Sequence, residues 1–232
     1  MTETMVSPDE DLLPYDDAAA YPRFWDRMLS TFRAFVVHPK SAAERIPNAE
    51  SQKDGLSFYV AFAWPLALVT EGIKCLALYS PWLRSHLFPV SGAKDVSVLS
   101  SVLAIVFFPI GAWVSLWVCA ALFHGSLWIW RGLPDGLGIH QTARAVSFAF
   151  GLTCAIPLLL WAIEVVFAHG HGIPYLEVPP RILGVGLIGY FLAKTHRTAL
   201  WRGIAAGATP LLLILGLLAW FYSVSFLKAL LQ

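Results

Sequence analysis

Three ionisable residues lie within long apolar stretches, where they could form an ion pair or line a polar path. Glu71 and Lys74 are three residues apart, which places both side chains on one face of a helix, and Glu164 lies in another stretch. Counted from the starts of their helices, Glu71 lies about 22 Å and Glu164 about 28 Å along the axis. Two interpretations stay open: charges that reach headgroups or water near the outer interface, or a buried pair in a polar cavity.

The histidines suggest two further kinds of chemistry, metal binding and acid-base catalysis. His169 and His171 fall on the same predicted side as His86, but imidazoles without Cys or paired carboxylates make a weak metal site, and a solvated loop explains them better. His124 and His140 flank a predicted polar loop that lacks a nucleophile and an orienting partner. The sequence therefore predicts no catalytic residue, no metal site, no cofactor and no enzyme activity.

The composition indicates a membrane protein. Apolar residues make up 57% of the chain, only 13% of residues are charged, and the segment from Val96 to Trp130 contains no Asp, Glu, Lys or Arg. A helix needs about 20 apolar residues to cross the hydrocarbon core of a bilayer, and this segment is longer. The net charge of +1 gives no basic footprint for nucleic acid, so none is expected as a partner.

We predict an all-α fold: a polytopic membrane bundle of five transmembrane helices, one of them short, preceded by an amphipathic interfacial helix. The predicted spans are Leu56–Tyr79, Val98–Phe123, Ala145–Ala168, Ile182–Ala193 and Gly203–Leu227. Prolines within the long spans are tolerated because neighbours can satisfy the carbonyls that proline frees. The fourth segment gives only about 18 Å of helix, so it either spans a thinned bilayer or is re-entrant.

The chain before the membrane domain, 56–232, divides into a tail and an arm. Residues 1–22 are acidic and lack helical periodicity, which predicts a mobile tail. In the arm, residues 23–55, apolar side chains recur at helical spacing from Phe24 to His38 and predict a surface helix that ends at Pro39. This helix would insert into lipid or pack on the bundle. The candidate contacts with the membrane surface or a partner are Phe24, Trp25, Arg27, Phe32 and Arg33.

The distribution of basic residues predicts the orientation. With five spans, eleven Lys and Arg fall on the side of the arm and four on the opposite side, not counting Lys74 within the first span. Because cytoplasmic loops carry the excess of Lys and Arg, we expect a cytoplasmic N-terminus and a C-terminus outside.

A short internal repeat precedes the third and fifth spans. We term it the helix-start motif, and its copies are His140, Thr142 and Arg144 in the first and His196, Thr198 and Arg202 in the second. The sequence PLLL follows each copy. A Thr hydroxyl can cap a helix and a basic residue can meet lipid headgroups. Ancestral duplication or shared chemistry at a membrane surface would explain the repeat.

Three stretches resemble the Yip domain family, the Ypt/Rab-interacting membrane proteins, and especially its bacterial members. They are FWDRMLSTFRAFVVHPKSAAERIP in the arm, TARAVSFAFGLTCAIPLLL around the third span and THRTALWRGIAAGATPLLLIL around the fifth. The resemblance covers nearly everything after residue 22. It implies five spans, a cytoplasmic N-terminus, a place in the bacterial inner membrane and a role in membrane organisation or trafficking.

Two functions from different classes follow as hypotheses. The first is a non-enzymatic organiser or scaffold that acts through the arm and the loops on its side. Its candidate partners are membrane lipids, an unidentified membrane or cytoplasmic protein and a second copy of the chain. The alternative is a transporter of ions or small solutes, with a polar path near Glu71, Lys74 and Glu164.

Overall fold

In the computed structural model, every regular element among the described residues is a helix, as predicted. The structure describes residues 12–46, 55–80, 97–133, 138–154, 156, 160 and 178–230. The helices are α1 (Phe24–Val37), α2 (Pro39–Arg45), α3 (Leu56–Tyr79), α4 (Val98–Ile129), α5 (Ile139–Thr153), α6 (Val178–Thr195) and α7 (Leu200–Leu230). Glu164, His86, His169 and His171 lie outside the described residues.

Three of these helices are long and apolar enough to cross a membrane. The apolar stretches are Leu56–Leu76 in α3, Val98–Ile129 in α4 and Leu200–Leu217 in α7. In the most apolar part of each, fewer than one residue in five is buried within the protein. A shorter apolar stretch, Ile182–Thr195, lies in α6. Helices that are apolar on their uncovered sides need an apolar surrounding, which is the character of a membrane protein.

The first predicted span coincides with α3, and the others differ in their limits. α4 continues past the predicted end at Phe123, so His124 lies within a helix and the prediction that it flanks a loop is wrong. α5 begins at Ile139 rather than at Ala145. α6 has 18 residues and is longer than the predicted run at both ends. Its first turn contains two prolines, which are well tolerated at the start of a helix.

The helices alternate in direction around one common end. Phe35 of α1 lies against three rings, with centroids 5.0 to 6.5 Å away: Phe58 at the start of α3, Phe148 in α5 and Phe191 near the end of α6. The end of α4 belongs to the same core through Phe123 and Leu127. α3 and α5 therefore run away from this end, and α4 and α6 run toward it. We call it the arm end, because α1 and α2 pack here.

α6 and α7 approach each other so closely that their backbones touch. A Cβ atom on Gly203 would overlap the carbonyl oxygen of Gly189, and one on Gly189 would lie 2.6 Å from the Cα of Ile204. Gly207 lies one turn further along α7, and its Cβ would come within 3.1 Å of the Gly189 nitrogen. Small residues four apart let membrane helices pack backbone to backbone, so van der Waals contact holds this pair together.

Trp64 shows how the bundle accommodates a proline within a span. Pro109 in α4 has no amide hydrogen, so the carbonyl oxygen of Ile105, four residues earlier, loses its helical donor. The indole Nε1 of Trp64 in α3 donates to this oxygen at 3.1 Å. At this proline, the expectation that a neighbouring helix satisfies the freed carbonyl is confirmed.

The second half of the predicted tail is folded onto the arm end. Leu13 and Tyr15 are buried, and the Tyr15 hydroxyl lies 2.6 Å from the Ser57 hydroxyl in α3. The carboxylate of Asp17 accepts a hydrogen bond from the amide of Ala20 at 2.9 Å, which closes a turn. The prediction of a mobile tail is therefore wrong for residues 12–22, because their apolar side chains reach the aromatic core. Residues 1–11 lie outside the described part of the chain.

Candidate interaction site at the arm end

Arg144 joins the N-terminal segment to the bundle. It lies in the second turn of α5 with only 2% of its surface exposed. Its guanidinium pairs with Asp16, and its Nε donates to the carbonyl oxygen of Ile46 at 2.9 Å. Its Cζ lies 5.6 Å from the ring centre of Tyr15 and 5.2 Å from that of Phe148. We call these five residues the Arg144 cluster. Because a buried charge needs partners, the cluster fixes the tail and the end of α2 at one point.

A second polar group joins three further segments, and we call it the His-Thr-His cluster. The Thr142 Oγ1 atom lies 2.9 Å from Nδ1 of His124 in α4 and 2.9 Å from Nε2 of His196, which follows α6. The two imidazole rings are 6.0 Å apart. Since a hydroxyl has one proton to donate and two lone pairs, Thr142 donates to at most one ring and accepts from at least one.

Burial keeps His196 neutral. Burial and, after it, the neighbouring His124 lower the pKa of His196 to about 4. Its Nδ1 is buried and has no hydrogen-bond partner among the described residues. A catalytic His needs a group that orients its second ring nitrogen, usually a carboxylate. The cluster is therefore better suited to holding helices together, or to passing a proton through the Thr142 hydroxyl, than to nucleophilic catalysis.

The two copies of the helix-start motif occupy different environments. α5 begins at Ile139, so Thr142 lies inside the helix and the prediction that it caps the helix is wrong. Its hydroxyl instead binds His196, a member of the second copy. The first copy also places Arg144 in a buried ion pair rather than at headgroups. Two copies that share a His and a Thr two residues later have thus produced two halves of one contact instead of two equivalent sites.

The remaining members of the motif lie nearer the surface. His140 is exposed, and its ring meets Trp117 edge to face at 5.1 Å. Thr198 is partly exposed, and its amide donates to a carbonyl of α6. Arg202 donates to the carbonyl oxygen of Arg131 at 2.8 Å and so ties the start of α7 to the end of α4.

α4 and α6 end in the same unusual way. Arg131 and Arg197 both have a φ of 49°, the left-handed conformation that glycine adopts most easily. The amide of the next residue donates to the carbonyl five residues before it, at 2.7 Å after Arg131 and at 2.9 Å after Arg197. This bond closes each helix. Sequence reasoning missed the feature because arginine is not a residue that signals a left-handed helix end.

α1 packs on the bundle with one side and exposes apolar residues on the adjacent side. The buried side consists of Met28, Thr31 and Phe35. The other side carries what we call the exposed stripe, which is Trp25, Leu29 and Val36, exposed by 54%, 57% and 63%. Positions 25, 29 and 36 fall on one helical face.

The predicted arm contacts divide between these two sides. Phe32 is partly buried, and its ring lies 5.2 Å from a Phe ring of α3. Phe24 and Trp25 are exposed and pack edge to face, 5.2 Å apart. Arg33 is exposed, whereas Arg27 is partly buried. One face of α1 therefore packs on the bundle, and another face of the same helix presents apolar side chains outward.

Glu71 and Lys74 form the ion pair that their spacing predicts, at the other end of α3. The distance from Glu71 Oε1 to Lys74 Nζ is 2.6 Å. Both charged side chains are partly exposed. Glu164, the third member of the predicted polar path, lies outside the described residues.

A cleft of about 500 Å³ opens at the arm end between α2 and the turn that joins α6 to α7. Its polar lining consists of Lys40, Glu44, Tyr190, Lys194, Arg197 and Thr198. Lys194 Nζ donates to Glu44 Oε1 at 2.9 Å. This hydrogen bond, together with the charges of Lys194 and Lys40, lowers the pKa of Glu44. The cleft thus holds three cations against one carboxylate.

Within the part of the chain that the structure describes, no three His, Cys, Asp or Glu side chains are grouped so that they could hold a metal ion. Comparison of the chain with known protein families found no match, and comparisons with curated proteins and with solved structures found none either. The function must therefore be inferred from the residues of this protein alone.

Proposed function

We propose that this is a five-span protein of the bacterial inner membrane, similar to the Yip domain proteins, that organises lipids or partner proteins and is not an enzyme. The arm and the arm end lie in the cytoplasm. One observation carries this proposal: α1 is fixed to the bundle on its buried side and presents the exposed stripe on its adjacent side.

The course of the chain supports five spans. α3 and α5 start at the arm end, while α4 and α6 end there, so successive segments alternate in direction. At 18 residues α6 is about 27 Å long, close to the roughly 30 Å of the hydrocarbon core and longer than its apolar run alone. This length favours a full span over a re-entrant segment for α6.

Reporter fusions at the two termini test this topology. Five spans place the termini on opposite sides of the membrane, and four place them on the same side. We expect a reporter that is active only in the cytoplasm to work at Met1 and to fail when fused after Gln232. Activity at both ends would contradict the five-span proposal.

The arm is suited to interaction because its position is fixed before any partner arrives. The Arg144 cluster holds the chain on both sides of α1, at Asp16 and at Ile46. α1 therefore presents the exposed stripe on a rigid support, beside the exposed cation Arg33. An apolar stripe beside a basic residue fits the headgroup region of a bilayer or the groove of a partner protein.

The experiment compares proteins and lipids that purify with the full chain in native nanodiscs. The test variant replaces the exposed stripe: Trp25→Gln, Leu29→Gln and Val36→Gln. The matched control places glutamines in the same helix outside the stripe, at Asp26 and Ser30. Deleting α1 would be a poorer test, because it would uncover the aromatic core around Phe35.

We expect a partner or lipid class that purifies stoichiometrically with the wild type and with the control to be lost from the stripe variant. Membrane insertion should be equal in all three. An identical set of partners for the stripe variant would contradict the organiser function. Solute flux in proteoliposomes that falls in Glu71→Gln would instead favour the transporter.

A further inference from the structure

The cleft between α2 and the α6–α7 turn has the chemistry of an anion site. Lys40, Lys194 and Arg197 supply three positive charges, and Thr198 adds a hydroxyl. Glu44 is the opposing carboxylate and is hydrogen-bonded to Lys194. The volume of about 500 Å³ exceeds that of a phosphate ion and suits a phosphorylated headgroup.

The surroundings of the cleft place it at the level of lipid headgroups. The apolar stretch of α7 begins at Leu200, which also lines the cleft and is half exposed. Beside the turn, the exposed rings of Trp130 and Trp201 meet edge to face at 6.3 Å. Tryptophan is enriched where membrane helices meet the headgroup region. The cleft therefore opens next to the point where α7 enters the apolar phase.

We propose that this cleft binds the phosphate of an anionic phospholipid, with the acyl chains lying along the exposed apolar side of α7. The proposal rests on the membrane placement given above. Basic pockets between helices on the cytoplasmic side are a recurrent way to bind such headgroups. A free phosphate ion would use the same cations but would gain nothing from the apolar side chains at the lip.

Two variants that lose the same charge distinguish binding in the cleft from a general electrostatic attraction to acidic lipid. Lys40→Gln with Arg197→Gln removes two cations from the cleft and leaves the Lys194 contact with Glu44. Arg23→Gln with Arg45→Gln removes two cations from the arm, outside the cleft lining and outside the exposed stripe with its neighbour Arg33. A third variant, Glu44→Gln, removes the carboxylate that competes with phosphate for Lys194.

Binding is measured by native mass spectrometry of the purified full chain, titrated with phosphatidylglycerol, phosphatidylcholine or inorganic phosphate. We expect wild type to prefer phosphatidylglycerol over phosphatidylcholine. Its affinity should fall roughly twenty-five-fold in the cleft variant, at about fivefold for each lost cation, and change little in the arm variant. Glu44→Gln should bind it several times more tightly, whereas a purely structural Glu44–Lys194 pair would predict weaker binding.

Three results would overturn the proposal: equal binding of the two lipids, equal loss in the cleft and arm variants, or displacement of the lipid by inorganic phosphate at matching concentration. The last would make the cleft a site for free phosphate. A separate measurement tests whether the protein is embedded in the membrane. If alkaline carbonate washes the protein from isolated membranes, the membrane placement itself is wrong.

Discussion

Polar side chains enter this apolar bundle in two regions that are built differently. At the far end of α3, Glu71 pairs with Lys74 of the same helix, and both side chains are partly exposed. At the arm end, Arg144 and His196 are almost completely buried, and their partners come from distant parts of the chain. The first region contributes a local pair and the second ties the helices to one another.

The difference shows where the structure of this protein is specified. Lipid-facing apolar side chains do not select one partner helix over another, because lipid tails are as apolar as the side chains. A buried charge without partners is strongly destabilising, so it favours the one arrangement of helices that supplies its partners. We therefore infer that the polar clusters of the arm end, together with the glycine contact between α6 and α7, fix how the helices assemble.

The largest expected effect comes from breaking the Arg144 cluster. Arg144→Met leaves the buried carboxylate of Asp16 without its cation, which should lower the free energy of unfolding by about 3 to 5 kcal/mol. Glu71→Gln at the far end breaks a partly exposed pair within one helix and should cost about 1 kcal/mol or less. Denaturant unfolding in detergent micelles measures both.

A double variant tests whether the loss arises from the unpaired charge. Arg144→Met combined with Asp16→Leu removes both ions, so most of the stability lost in Arg144→Met should return. If the double variant were as unstable as the single variant, the packing of the arginine side chain on Tyr15 and Phe148 would be its main contribution. Equal losses for Arg144→Met and Glu71→Gln would contradict the contrast between the two regions.

The same contrast explains what the sequence could predict. Apolar runs and their spacing predicted the helical class, the limits of α3 and the Glu71–Lys74 pair, because these depend on neighbours within a few residues. The sequence also marked Thr142, Arg144 and His196 as unusual, but it could not show that Thr142 binds His196 or that Arg144 binds Asp16. Those contacts depend on how the helices pack, which no local pattern contains.

The glycine contact offers the next test, away from any charge. Gly203→Ala puts a methyl group against the backbone of Gly189, which cannot move as a side chain can. We expect a loss near the upper end of about 1 to 3 kcal/mol in the free energy of unfolding. Gly216→Ala in the same helix meets no atom within 4 Å and is the matched control, with no loss expected. Equal effects would mean that α6 and α7 are not held together at Gly203.

The His-Thr-His cluster should make stability depend on pH. The pKa of His196 is 6.5 in the unfolded chain and about 4 in the fold. As pH falls from about 6.5 to about 4, the unfolded chain takes up a proton that the folded chain refuses, so the free energy of unfolding falls, by at most about 3 kcal/mol. His196→Gln should flatten this part of the pH profile. Parallel profiles for wild type and His196→Gln would contradict a neutral, buried His196.

The smallest expected effect concerns the end of α4 and should be a gain. Arg131 holds a left-handed conformation that strains any residue with a Cβ atom. Arg131→Gly removes this strain, and its carbonyl still accepts the bond from Arg202, so the free energy of unfolding should rise by roughly 0.5 to 1 kcal/mol. The same change at Arg33, within α1, should lower it by about 1 kcal/mol, because glycine weakens a helix interior. A loss at both positions would mean that the Arg131 side chain contributes more than its backbone strain costs. The arm end would then rely on the exposed cation Arg131 as well as on the buried cation Arg144.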